Sequence, residues 1–149
     1  MGEHSLTRAL RELLLARRTA ALGTLDEHGG VVVSMVPFAI DSTASELVLH
    51  VSSLAAHSGN MQRTPRVSLL VCAAEPEGEP VHALPRVTLD ALARFAEPGS
   101  PEAEASRSVY LQRFPEAEMM TTLGDFRFVR LQLLGARSGC PIRAVYPID

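Results

Sequence analysis

Two short apolar runs flanking Asp26-Glu27-His28-Gly29-Gly30 constrain this chain more than any other feature. Thr19 to Leu25 and Val31 to Ile40 are rich in β-branched residues and read as strands, and the polar, glycine-bearing segment between them reads as a turn. An isolated hairpin is marginal in water, so further strands are needed to cover its apolar face. Glu46 to Val51, Arg66 to Ala74, Arg86 to Ala96 and Phe126 to Leu134 supply them, and Gly139 to Asp149 has room for one short strand more. Arg66 to Ala74 is apolar at nearly every position and is expected at the centre of a sheet. Polar turns at Asp41 to Ser45 and Glu75 to Pro80 separate these runs.

Helical signals occur at three places only. Leu6, Ala9, Leu10, Leu13 and Leu14 form the stripe of an amphipathic helix, with Ser5 or Thr7 as its cap. A short helix follows Ser52 and ends near Thr64-Pro65, because proline disfavours helix in the residue before it. Ser100 and Pro101 suit the Ncap and N1 positions of a third helix that carries Glu102 and Glu104 in its first turn and stops at Phe114-Pro115. Strands joined by short turns, with few helices between them, argue against an alternating doubly wound sheet. They predict a mainly β (α+β) chain, an antiparallel barrel or sandwich with flanking helices. At 149 residues, with no internal repeat or linker, one domain over 1–149 is expected.

Composition narrows the function classes. The 14 basic residues are all arginine, they face 17 acidic ones for a net charge of −3, and they form no basic stripe, so nucleic acid is not an expected partner. No apolar run approaches the ~18 residues that span a bilayer, and Met1 to Arg18 lacks the order of a secretory signal. A cytoplasmic location is therefore expected, without membrane partners. Cys72 and Cys140 have no metal-binding spacing, and His4, His28, His50, His57 and His82 are too irregularly placed for a zinc site. Cys72 reads as a small core residue and His50 as a packed or edge strand residue.

The segment SSLAAHSGNM, Ser52 to Met61, carries the polar groups that most resemble a site. With Ser53 at the Ncap, His57 would stand at N4, Asn60 would share its face, and Ala55 and Ala56 would leave the first-turn amides open. Such a turn can hold an anion. The same residues also describe an ordinary capped surface helix, and taken alone they favour that plainer reading.

In context the segment resembles a known family. LVLHVSSLAAHSGNMQRTPRVSLLV (Leu47 to Val71), the hairpin RTAALGTLDEHGGVVVSMVPFAID, the strand PRVTLDALARF and the late strand LGDFRFVRL occur in the order seen in FMN-binding split-barrel proteins related to pyridoxamine 5′-phosphate oxidase, nearest their haem-utilisation branch. The resemblance implies an antiparallel split β-barrel and a homodimer with FMN at the subunit interface. It places Ser34, Met35, Val36 and Pro37 alongside the flavin and Ser52 near its ribityl chain or phosphate. His57 falls at a phosphate ligand of the oxidase, Asn60 follows it by three as is usual in the haem-utilisation branch, and Arg86 falls where the partner's strand reaches the cofactor. The other two oxidase phosphate ligands fall on Ala55 and Ala56.

Departures from the pattern bear on activity. The tail GARSGCPIRAVYPID lacks the oxidase's residues for pyridoxal phosphate, so pyridoxamine phosphate oxidation is not expected. The haem-utilisation branch's glycine-rich segment and C-terminal histidine also have no counterpart, since the last histidine is His82. The expected function is FMN binding, in a flavin-dependent oxidoreductase acting on an unidentified small molecule, with no catalytic acid or base assigned. The alternatives are a haem-binding or haem-degrading split barrel, or a non-enzymatic flavin-binding or sensing protein.

Overall fold

The computed structural model describes residues 8–138 and 145–147. The expected cap at Ser5 or Thr7, Leu6 of the helical stripe, and Cys140 lie outside the described residues. Helix α1 (Arg8–Ala16) is followed by β1 (Thr19–Leu25), β2 (Val31–Pro37), β3 (Ala39–Asp41) and β4 (Glu46–Ser52). Then come α2 (Ala56–Arg63), β5 (Arg66–Cys72), β6 (Arg86–Phe95), α3 (Pro101–Arg113), β7 (Phe126–Ser138) and β8 (Val145–Pro147). The strands form one sheet in the order β2-β1-β5-β6-β7-β4-β3, antiparallel throughout, with β8 on β7. This is the antiparallel split barrel with flanking helices. A register shift at Asp90/Ala91 in the β6–β7 ladder marks a bulge, which strengthens the bend that curls the sheet.

Local chemistry explains the elements. In the β1–β2 turn, Asp26 Oδ1 accepts from the backbone N–H of His28 at 2.9 Å and of Gly30 at 2.7 Å, while Gly29 takes a φ of 81° that other residues resist. The expected second strand is interrupted at Phe38, whose side chain is fully buried and whose N–H donates to the Arg18 carbonyl; β2 and β3 therefore pair with different neighbours. Ser100 caps α3 as expected, its hydroxyl accepting from Ala103 N–H at 3.1 Å. The Arg113 guanidinium reaches back from α3 to the carbonyls of Leu14, Leu15 and Arg17, tying down the end of α1.

Inside the curl, Leu22, Leu47, Leu49, Leu69, Val71, Leu89 and Leu131 pack with Leu14 of α1 and Met61 of α2. Full burial of each large side chain stabilises by about 1.5–3 kcal/mol. A second cluster joins α3 to the sheet through Ala103, Tyr110, Phe114, Val48 and Phe128. Strand β5 is central in order, but the expectation that both its faces are covered is corrected. Val67, Leu69 and Val71 are buried, whereas Leu70 on the other face is 41% exposed and Cys72 is half-buried. Among the described residues, no helix is long and apolar enough to cross a membrane, and no cluster of residues could hold a metal ion.

Candidate functional site

The segment singled out in the sequence begins its helix two residues later than expected. Ser53 is not the cap: its hydroxyl and its N–H both donate to the Asp125 carbonyl, at 2.6 and 2.7 Å. Ala55 occupies the Ncap instead, makes no side-chain cap bond, and leaves His57 near the open end of α2. Ser52 shapes the turn, its Oγ accepting from Leu54 N–H and its carbonyl from the Ser58 hydroxyl at 2.5 Å. His57 Nδ1 lies 3.0 Å from the Ser34 hydroxyl, so α2 is joined to edge strand β2 across the mouth of the barrel. Burial lowers the pKa of His57, which keeps the ring neutral and leaves Nε2 for a further partner. Asn60 turns inward: its amide donates to Thr24 Oγ1 at 3.0 Å and its carbonyl accepts from Arg63 at 3.0 Å, a buried support for α2.

The strand pattern divides the other expected site residues between two faces. Val36 points into the core, whereas Met35 and Pro37 point outward. Opposed residues of antiparallel strands share a face, so Met35, Ala21, Leu70 and Thr88 form one outward row, and Val33, Gly23, Ser68 and Asp90 the next. Cys72 pairs with Arg86, extending this face toward the start of β6. Arg86 donates to the Leu84 carbonyl at 3.2 Å, and no hydrogen bond joins it to Ser34, Ser52 or His57 among the described residues.

The outward face is apolar and open. Val31, Val33 and Met35 are 75%, 66% and 68% exposed. Beside them a cavity of about 390 Å³ is lined by Arg17, Thr19, Val33, Ser34, Met35, Leu70 and Cys72. An adjoining space of about 550 Å³ shares Arg17 and Thr19 and adds Arg18, Tyr110, Phe114 and Met120. Sequence reasoning missed Arg17 and assigned Cys72 to the core. The parity of β5 was the available signal: with Val67, Leu69 and Val71 inward, Cys72 must face outward.

Comparison with known proteins identifies what shares this geometry. The chain is similar to a protein named Heme oxygenase HutZ from Vibrio cholerae, 32% identical over 83% of this chain and 69% of that protein. It is also similar to the chloroplastic non-canonical haem oxygenase HOZ of Arabidopsis thaliana, 37% identical over 66% of this chain but only 28% of the plant protein. Among solved structures, a haem-binding protein from Mycobacterium smegmatis superposes with a TM-score of 0.81 at 26% identity, covering 98% of this chain and 57% of that one. HutZ of Vibrio cholerae, described as a haem storage protein, gives 0.76 at 27% identity over 95% and 94% of the two chains. These findings correct the expectation of FMN as cofactor and of a flavin-dependent oxidoreductase, because the relatives are named for haem. The resemblance was right about the fold and its branch; transferring the oxidase's ligand to that fold was the error, since one fold hosts many ligands. The sequence model of the family described as pyridoxamine 5′-phosphate oxidase matches residues 6–138, and with the split barrel in place the chain belongs to that family.

Proposed function

We propose that this protein binds haem on the outward face of its sheet, within a homodimer whose second copy covers that face. The observation that carries the reading is the exposed apolar strip of Val33, Met35 and Leu70 beside a cavity holding Arg17 and Cys72. Haem presents a broad apolar plane, two carboxylates and an iron in need of an axial donor. The strip matches the plane, and an exposed apolar patch of this kind also marks a surface that another molecule covers. Arg17 matches the carboxylates, while Arg18 in the adjoining space is held by Glu116 at 3.0 Å. The Cys72 thiol and the Met35 thioether line the same cavity, and both side-chain types serve as haem ligands in proteins. The two adjoining spaces together have the size of a cofactor site.

Bound haem would supply the iron chemistry; the chain's own residues bind it, orient it and exclude water. On this reading Met35, Pro37 and Arg86 belong to the haem-bearing face, the latter from the second copy. Ser34, which pairs with the buried Leu22, and His57 brace the edge strand behind this face, Ser52 holds the turn behind His57, and Val36 and Asn60 belong to the scaffold. The chain acts as a single domain over 1–149. Haemin titrated into the protein should give a shifted Soret band that saturates at one haem per chain, and Arg17→Gln should weaken binding about tenfold. An unshifted Soret band, or free binding to Leu70→Arg, would refute the assignment. The oxygenase names of two relatives favour a second step, loss of the Soret band when ascorbate and oxygen are added.

A further inference from the structure

A separate cavity of about 180 Å³ lies between α3 and the paired ends of β4 and β7. None of its lining residues is shared with the proposed haem face. His50 of β4 forms part of its wall and is 9% exposed, yet its Nδ1 finds no hydrogen-bond partner among the described residues. The imidazole stacks on Phe126 at a centroid distance of 5.0 Å and lies 4.5 Å from the Phe128 ring. Burial pushes its pKa down to about 4, so the ring is neutral near pH 7.

Two arginines complete the wall. Arg107 uses its Nε on Thr121 Oγ1 at 3.0 Å, and Arg127 uses one terminal nitrogen on the Ala96 carbonyl at 3.0 Å. Arg127 Nε is buried and has no partner among the described residues. A guanidinium carries five N–H donors, so both retain donors for a ligand, and Glu104 is the acidic side chain that lines the space with them. Buried polar groups in proteins are normally paired, and two unpaired ones beside the same cavity point to a partner supplied from outside.

We propose that this cavity binds a single-ring aromatic carboxylate, its ring among His50, Phe126 and Phe128 and its carboxylate toward Arg107 and Arg127. The size agrees: a cavity of about 150 Å³ accepts benzene, whereas this one is too small for a macrocycle. Offset aromatic contacts hold the ring, and arginine is the side chain best shaped for a carboxylate.

The test uses benzoate as the probe and benzyl alcohol as its uncharged match, with binding followed by calorimetry and by the His50 imidazole ¹⁵N resonances. Benzoate should bind saturably and shift those resonances. Arg107→Gln should weaken benzoate at least about tenfold and leave benzyl alcohol within twofold. Gly124→Phe should block both, because a side chain built at Gly124 meets open space at the cavity wall. Its haem titration should match that of the unsubstituted protein, which shows that the variant is folded. Equal affinity for benzoate and benzyl alcohol would overturn the carboxylate assignment. Absence of saturable binding, or benzoate binding unchanged in Gly124→Phe, would overturn the site.

Discussion

Lowering the pH from 7 to 4 should destabilise this protein by about 3 kcal/mol through His50 alone. The ring is enclosed by Phe126, Phe128 and Tyr110, and desolvation takes its pKa from 6.5 to about 4. Between those values the unfolded chain binds a proton that the folded chain refuses. The free energy of unfolding therefore falls as pH drops through 6.5 and levels off below 4. At about 1.4 kcal/mol per unit, the loss attributable to His50 is about 2 kcal/mol at pH 5 and about 3 at pH 4. The carboxyls of Asp41 and Glu102, held below their ordinary values by hydrogen bonds to Thr43 and Arg130 and to Arg94, lose stability in the same direction at lower pH. His50→Phe keeps an aromatic ring in the cluster and removes only the titration. Urea unfolding of both proteins at pH 7, 6, 5 and 4 should give curves that diverge by these amounts, the variant being the more stable in acid. Parallel curves would mean that the folded protein accommodates a protonated His50, and the desolvation argument would fail.

Other substitutions report on the scaffold and the open face. Asn60→Ala removes the partner of Thr24 Oγ1 and Arg63 beneath α2, and should cost about 1–3 kcal/mol in chemical denaturation. Arg130 is 5% exposed and reaches Asp41 at 2.8 Å, Glu46 at 3.2 Å and Ser106 at 2.9 Å; Arg130→Met leaves Glu46 on Arg94 and Asp41 on Thr43 alone, and should cost about 1.5–3 kcal/mol. Val33→Arg changes a side chain that is 66% exposed in the single chain, so its melting temperature in isolation should hardly change. It should nevertheless elute as a monomer in size-exclusion chromatography; a dimer would remove the proposed role of that face.

Much of the architecture was legible because it rests on local signals. The Asp26–Gly30 turn, the Ser100-Pro101 start of α3 and the alternating strands each depend on residues adjacent in sequence. The start of α2 was not, because Ser53 is held by the Asp125 carbonyl, a contact across 72 positions that no local pattern encodes. The break at Phe38 likewise depends on a bond to Arg18. Cys72 was read as core and Arg17 was not singled out, because the cavity they line with Met35 and Leu70 depends on sheet curvature and strand order. Ser34 and His57 were each named from the sequence, and the 3.0 Å contact between them appears only once the barrel closes. Neither residue type separates a flavin from a haem, since hydroxyl and imidazole groups suit both equally well.

Haem binding to the outward face that carries Met35, Leu70 and Cys72 is open to one decisive measurement. Its most direct test is a haemin titration of the protein and of Leu70→Arg, monitored at the Soret band. The protein should give a shifted band saturating at one haem per chain and the variant none; an unshifted band, or the same saturation in both, would rule out haem on this face.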